Sequence, residues 1–342
     1  MKTIFIVDDN DTNLMTAKRA LDGTYRTFAV PSADRMLKLA EKITPDLILL
    51  DVDMPETDGF EAMYKLKSDV RLKTIPVVFL TAKNDAESEI KGFEMGALDF
   101  VNKPFSPPVL IKRIETHIET DKLIKKSLLA VRNIHNATIS VISNMVENRD
   151  QITGKHIERT QLYIKILIDE LLRRGVYAEE LSGFDMTLFI PSAQLHDVGK
   201  IHVSDLILNK PGKLTDEEFA LIKTHSAEGE RIIEEIIHKT EDDGFLLHAK
   251  KFAGAHHEKW NGTGYPNGLA GLEIPLEGRI MAFADVYDAL VSARPYKKPF
   301  THEQAVEIIK NDSGIHFDPK IAEIFLRVEE EFRTESMKWV ND

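Results

Sequence analysis

Between residues 1 and 105, short apolar runs alternate with amphipathic stretches. Thr3–Val7, Asp46–Leu50, Pro76–Leu80 and Leu98–Val101 read as buried strands, with Tyr25–Val30 a weaker fifth. Asn13–Leu21, Ala33–Lys42, Phe60–Leu66 and Ser88–Met95 carry helical spacing. The alternation predicts an α/β domain, a doubly wound parallel sheet covered by helices on both faces. From about residue 130 the strand signal disappears. Leu162–Leu172, Thr187–Leu195, Glu217–Ile222, Ala227–Ile237, Ile280–Leu290 and Ala305–Ile309 show helical periodicity, which predicts an all-α second domain.

Ser106-Pro107-Pro108 opens a helix between the two, since proline is tolerated in a first turn. No proline or glycine follows from Val109 to Arg149, and Ile111, Ile114, Ile118, Leu123, Ile124, Leu128, Val131 and Ile134 form an apolar stripe. The expected division is residues 1–105, a connecting helix over 106–145, and residues 146–342. The stripe suits pairing with a second copy as a homodimer. Packing on its own chain is the alternative, because Asp121 and Lys125 fall where a coiled-coil seam would be apolar.

A length of 342 residues fits two domains, and 43% hydrophobic with 29% charged residues is ordinary globular composition. The net charge of −12 argues against a DNA-binding surface. With no cysteine, disulfides and thiolate ligands are excluded, and any metal must rest on nitrogen and oxygen. The Met1–Val7 run is too short for a signal peptide, and no stretch approaches the roughly 18 apolar residues of a membrane helix. The expectation is a cytoplasmic protein without membrane insertion.

Polar residues at the predicted strand ends carry the first chemistry. Asp8 and Asp9 follow the first strand, Asp51 the third, Thr81 the fourth and Lys103 the fifth. Sites in such sheets form beyond the carboxyl ends of the strands. Clustered carboxylates there can hold Mg²⁺ while Asp51 attacks a phosphoryl group. These positions, with Leu49-Leu50-Asp51-Val52-Asp53-Met54-Pro55, Asp58-Gly59, Thr81-Ala82, Phe100 and Lys103-Pro104-Phe105, resemble the response-regulator receiver domain. The resemblance implies a five-stranded sheet in flavodoxin-like order. It also implies phosphorylation of Asp51 by a cognate histidine kinase. Asp8, Asp9 and Asp53 would serve the Mg²⁺ site, with Thr81, Phe100 and Lys103 as switch and pairing residues.

The second half concentrates imidazoles and carboxylates: His156, His196-Asp197, His225, His256-His257 and Asp285. Asp285 is an isolated acid on an apolar helix, a costly position without a partner. Gly199 is placed to end the helix before it, and His225 falls between two short helices. Seven such groups are enough for two divalent ions, a centre suited to hydrolysing phosphate esters. Histidine-rich ligation favours Fe, Mn, Ni or Zn.

From roughly Glu147 to Pro319 the order of motifs resembles the HD-GYP class of HD phosphohydrolases. They are Arg149-Asp150, Thr153-Gly154-Lys155-His156, His196-Asp197-Val198-Gly199-Lys200, His256-His257, Gly264-Tyr265-Pro266, Asp285-Val286-Tyr287-Asp288 and Arg294-Pro295-Tyr296-Lys297. The resemblance implies hydrolysis of cyclic di-GMP to pGpG, and in some members to GMP. It implies one metal held by His156, His196, Asp197 and Asp285, and a second by His225, His256 and His257, with Asp197 bridging. Lys200 would contact the scissile phosphate, and Tyr265, Arg294 and Lys297 would contact substrate. Gly262, Gly264 and Gly268 suit close backbone approach to a ligand. Some members place a metal-binding glutamate where this chain has Ile152, which cannot ligate. Two metals are therefore expected, and a preference for linear pGpG is an alternative. A signalling adaptor with negligible turnover is another, weakened by the intact ligand set.

Overall fold

The computed structural model describes residues 1–82, 86–150, 155–240, 244–292 and 298–338. The chain divides into two compact units, Met1–Val131 and Arg132–Asp342.

In the first unit the order is β1 (Thr3–Val7), α1 (Asp11–Leu21), β2 (Arg26–Val30), α2 (Ala33–Ala40), β3 (Leu47–Asp51), α3 (Gly59–Ser68), β4 (Val77–Thr81), α4 (Ala86–Glu94) and β5 (Asp99–Asn102). All neighbouring strands are parallel, in the order β2-β1-β3-β4-β5. Period-two alternation divides the apolar side chains between two cores. Phe5, Val7, Ile48, Leu50, Val77 and Phe79 face one layer of helices. Ile4, Ile6, Leu47, Leu49, Val78 and Leu80 face the other. The weak signal of β2 reflects its place at the sheet edge, where none of its residues is fully buried. Asp51 and Thr81 close β3 and β4, so hydrogen-bonded pairing carries both polar residues to the carboxyl edge of the sheet.

Helix α5 (Pro107–Glu147) follows. Leu110 and Ile114 are buried against the sheet of the first unit, whereas Leu123, Ile124, Leu128, Val131 and Ile134 are exposed. Asp121 and Lys125, a poor fit to an apolar seam, pair with each other at 2.9 Å.

The second unit contains α6 (His156–Arg174), α7 (Ala178–Ser182), α8 (Met186–Ser192), α9 (Asp205–Leu208), α10 (Asp216–Ile237), α11 (Phe245–Ala255), α12 (Leu276–Val291), α13 (His302–Asn311) and α14 (Pro319–Lys338). Its core is aromatic. Tyr163, Tyr287, Phe325 and Phe332 pack together, with Tyr163 stacked on Phe332 at 4.6 Å.

Two local expectations need correction. His225 does not lie between short helices. It is buried in the middle of α10, whose polar Thr224-His225-Ser226 segment resembles a break only because His225 and Ser226 point inward; the Ser226 hydroxyl donates to the Ala253 carbonyl at 2.6 Å. Nor does Gly199 end α8, which stops at Ser192. Gly199 sits in a 3-10 turn (Val198–His202) pressed against α10, where an added Cβ would lie 1.9 Å from the His225 carbonyl oxygen.

Candidate metal centre

Five separate elements bring the histidines and acids of the second unit together. His156 is the first residue of α6, His196 and Asp197 link two 3-10 turns, and His225 lies within α10. His256 and His257 directly follow α11, and Asp285 lies within α12. Ligand atoms of His156, His196 and Asp285 fall within 4.8 Å of one another, and so do those of His225, His256 and His257. Asp197 stands between the triads. Its Oδ2 is 3.2 Å from His196 Nε2, and its Oδ1 is 3.2 Å from His225 Nε2 and 3.6 Å from His256 Nε2.

Backbone and side-chain acceptors fix the ring orientations. The Nδ1 atoms of His196, His225 and His256 face the carbonyls of Ala193 (2.9 Å), Ile222 (2.6 Å) and Ala253 (3.0 Å). His156 Nδ1 faces Asp288 at 2.7 Å. A proton on each Nδ1 leaves the Nε2 lone pair directed inward, the arrangement of metal-binding imidazoles. His225 Nε2 and His256 Nε2 then lie 3.2 Å apart, an unfavourable contact between lone pairs unless a cation sits between them. His196 Nε2 and Asp197 Oδ1 are buried with no hydrogen-bond partner among the described residues. Inward lone pairs, orphaned buried atoms and an all-nitrogen-and-oxygen donor set fit divalent transition metals.

The electrostatics are polarised. Burial lowers the pKa of His196, but Asp197, Asp285 and Glu147 outweigh it and push it up to about 9. Burial likewise opposes His156, yet Asp288 raises it overall. His256 and His257 are lowered by burial, His257 well below the usual imidazole range. Burial would raise Asp197, but Lys200, His196 and His225 hold it well below the carboxylate range. Lys200 Nζ is 2.8 Å from Asp197 Oδ2.

The Tyr265 ring packs 4.7 Å from His257. Its loop is held by Glu258, whose buried carboxylate accepts from the backbone N–H groups of Asn267, Gly268 and Leu269. Gly264 serves this scaffold: an added Cβ would lie 2.3 Å from the Lys259 nitrogen, so the chain itself approaches closely there. Arg294 and Lys297 lie outside the described residues, as does Ile152. The motif reading assigns no role to Asp288 or Arg159. Asp288 is buried three residues beyond Asp285 on α12, and receives Arg159 Nε at 2.6 Å as well as His156. The i, i+3 spacing of two acids on an apolar helix was the available signal.

In the first unit, Asp8, Asp9 and Asp51 also offer ligand atoms within 4.8 Å of one another. Lys103 Nζ is 2.6 Å from Asp8 and 2.7 Å from Asp51. Burial and the neighbouring Asp8 raise the Asp51 pKa despite Lys103. Asp53 is exposed just beyond, its N–H 3.4 Å from Asp51 Oδ1, and Thr81 is buried at the end of β4. Phe100 is buried between Phe79 and Phe93, at 5.2 and 5.1 Å.

Comparison with known proteins finds relatives of both units. The response regulator receiver domain family matches residues 4–115, and the HD domain family matches residues 140–321. A probable cyclic di-GMP phosphodiesterase of Vibrio cholerae is 38% identical, covering 99% of this chain and 80% of its own. A cyclic di-GMP phosphodiesterase of Thermotoga maritima is 32% identical over 96% of this chain and 91% of its own. The cyclic di-GMP phosphodiesterase response regulator RpfG of Xanthomonas campestris is 33% identical over 82% and 75%. No helix among the described residues is long and apolar enough to cross a membrane. The chain belongs to the response regulators that place a receiver domain ahead of an HD domain of the phosphodiesterase type.

Proposed function

We propose that this protein hydrolyses cyclic di-GMP to pGpG at a two-metal centre in its HD domain, under the control of phosphorylation at Asp51. The observation that carries the reading is Asp197, buried between two ligand triads with one oxygen toward each. His156, His196, Asp197 and Asp285 would hold one ion of Fe, Mn, Ni or Zn, and His225, His256, His257 and Asp197 the other. Two such ions would supply Lewis acidity at phosphorus and hydroxide near neutral pH.

The chain's own residues account for the rest. Asp197 keeps its charge at neutral pH and holds Lys200 beside the cage. The Lys200 ammonium meets negative charge growing on a phosphoryl oxygen. Tyr265, packed on His257, offers a ring and a hydroxyl beside the cage for substrate contact, and its pKa is raised by burial, so the hydroxyl stays protonated. In the receiver, Asp51 would accept a phosphoryl group from a histidine kinase, with Mg²⁺ on Asp8, Asp9 and Asp53 and with Lys103 and Thr81 on the phosphoryl oxygens. The exposed stripe of α5 would pair with that of a second copy. The reading places the protein in the cytoplasm.

A preference for linear pGpG is the second reading, favoured by Ile152 where some relatives of this class carry a ligating glutamate. Metal-replete turnover of both nucleotides, beside His196→Ala and Asp197→Ala, is the test. Loss of at least about 100-fold in both variants is expected, since even outer-shell changes cost 10–100-fold. Turnover that survives both substitutions rejects the site.

A further inference from the structure

Glu147, the last residue of α5, is buried to 5% exposure, and its Oε1 has no hydrogen-bond partner among the described residues. A carboxylate in such a place is costly unless a cation compensates it. Lys200 Nζ, at 3.6 Å, is beyond hydrogen-bonding distance and lies closer to Asp197 at 2.8 Å. A Glu147 oxygen, however, shares a 4.8 Å cluster with ligand atoms of His156 and Asp197.

The position is built, not incidental. The Arg149 guanidinium, two residues on, donates to the carbonyls of Lys200, Ile201 and Val203 and pairs with Asp205. The Arg149 carbonyl in turn accepts from Asn209 at 2.7 Å. These bonds clamp the end of α5 to the turn that carries Lys200.

We infer that Glu147 is a further ligand of the first metal ion, an inference that rests on the two-metal reading above. His156 has one nitrogen to give, because Nδ1 is engaged by Asp288. His156 belongs both to the cluster with Glu147 and Asp197 and to the cluster with His196 and Asp285, and on this inference its free Nε2 joins them at one ion. That ion then has three carboxylates (Glu147, Asp197, Asp285) and two imidazoles, whereas the second has three imidazoles and the shared Asp197. The first site is oxygen-rich and suits Mn(II) or Fe(II); the second, richer in nitrogen, suits the later divalent metals.

The test is a titration of the metal-free full-length protein with manganese(II), free ion being read by electron paramagnetic resonance. Wild type is expected to bind two ions. Glu147→Gln is expected to weaken one of them about tenfold or more and leave the other unchanged, whereas His257→Ala weakens the other. Both ions bound by Glu147→Gln at wild-type strength would overturn the inference. Uptake of no manganese by wild type would instead bring down the two-metal reading itself. Should Glu147→Gln fail to fold, hydrogen exchange of the wild type decides: manganese is expected to protect the amides of residues 143–147, and unchanged exchange there would overturn the inference.

Discussion

At His156, the ring nitrogen that faces away from the cage meets Asp288, and Asp288 is in turn gripped by Arg159 Nε at 2.6 Å and Nη2 at 2.8 Å. This chain of three buried residues sets which nitrogen His156 presents. Burial alone would raise the Asp288 pKa, but Arg159 and His156 hold it below the ordinary value of 3.8. Its charge therefore stabilises the fold at neutral pH, and that contribution disappears as the pH falls below about 3.9, the unfolded value, and through the lower folded one. Asp288→Asn is expected to cost about 3–5 kcal/mol at pH 7, because the buried Arg159 guanidinium loses the carboxylate charge that faces it at 2.6 and 2.8 Å. Urea unfolding at pH 7 and near pH 3 checks this. The gap between wild type and variant should narrow at the acid end, and a gap independent of pH would refute the assignment. The residues that cluster in the cage were legible as a sequence pattern, because histidine is scarce and positional. Asp288 was not, since a structural acid and a ligand acid look alike without burial.

At the scale of elements, the receiver strands were legible almost to the residue, because period-two apolar runs have few alternative uses. Each of β3, β4 and β5 extends one residue further toward its carboxyl end than the apolar runs suggest, because pairing carries polar Asp51, Thr81 and Asn102 into the ladder. Helices of the second unit were harder to read. α11 and α14 were passed over, and α10 was divided in two. α11 is buried along most of its length, so it lacks the polar face that marks an amphipathic helix. The contact of the Gly199 turn with α10 fixes the spacing of Asp197 and Lys200 against His225, yet one glycine carries no pairwise information. Gly199→Ala places a methyl carbon where backbone already stands. It is expected to cost at least about 1–3 kcal/mol in urea unfolding and to reduce metal uptake. Wild-type stability and uptake would show that the turn is not constrained as described.

For the whole molecule, the receiver and HD domains have separate cores and separate acid-lined sites, joined in sequence by α5. Leu123, Ile124, Leu128, Val131 and Ile134 are exposed and give that helix an apolar surface among the described residues. Pairing through it links the proposed dimer to the proposed regulation, and one comparison addresses both. Sedimentation and turnover are measured for wild type, Leu128→Asp and Asp51→Asn, each with and without acetyl phosphate. Leu128→Asp is expected to sediment as a monomer and to lose the response. Asp51→Asn is expected to keep its oligomeric state without responding. Identical behaviour of all three proteins would remove both proposals.

The claim beneath all of these is that Asp197 stands between two cations. Anomalous scattering from crystals of metal-replete protein tests it most directly. Two peaks are predicted, one among His156, His196 and Asp285 and one among His225, His256 and His257, each beside a different oxygen of Asp197. A single peak, or none, at saturating metal would contradict the account.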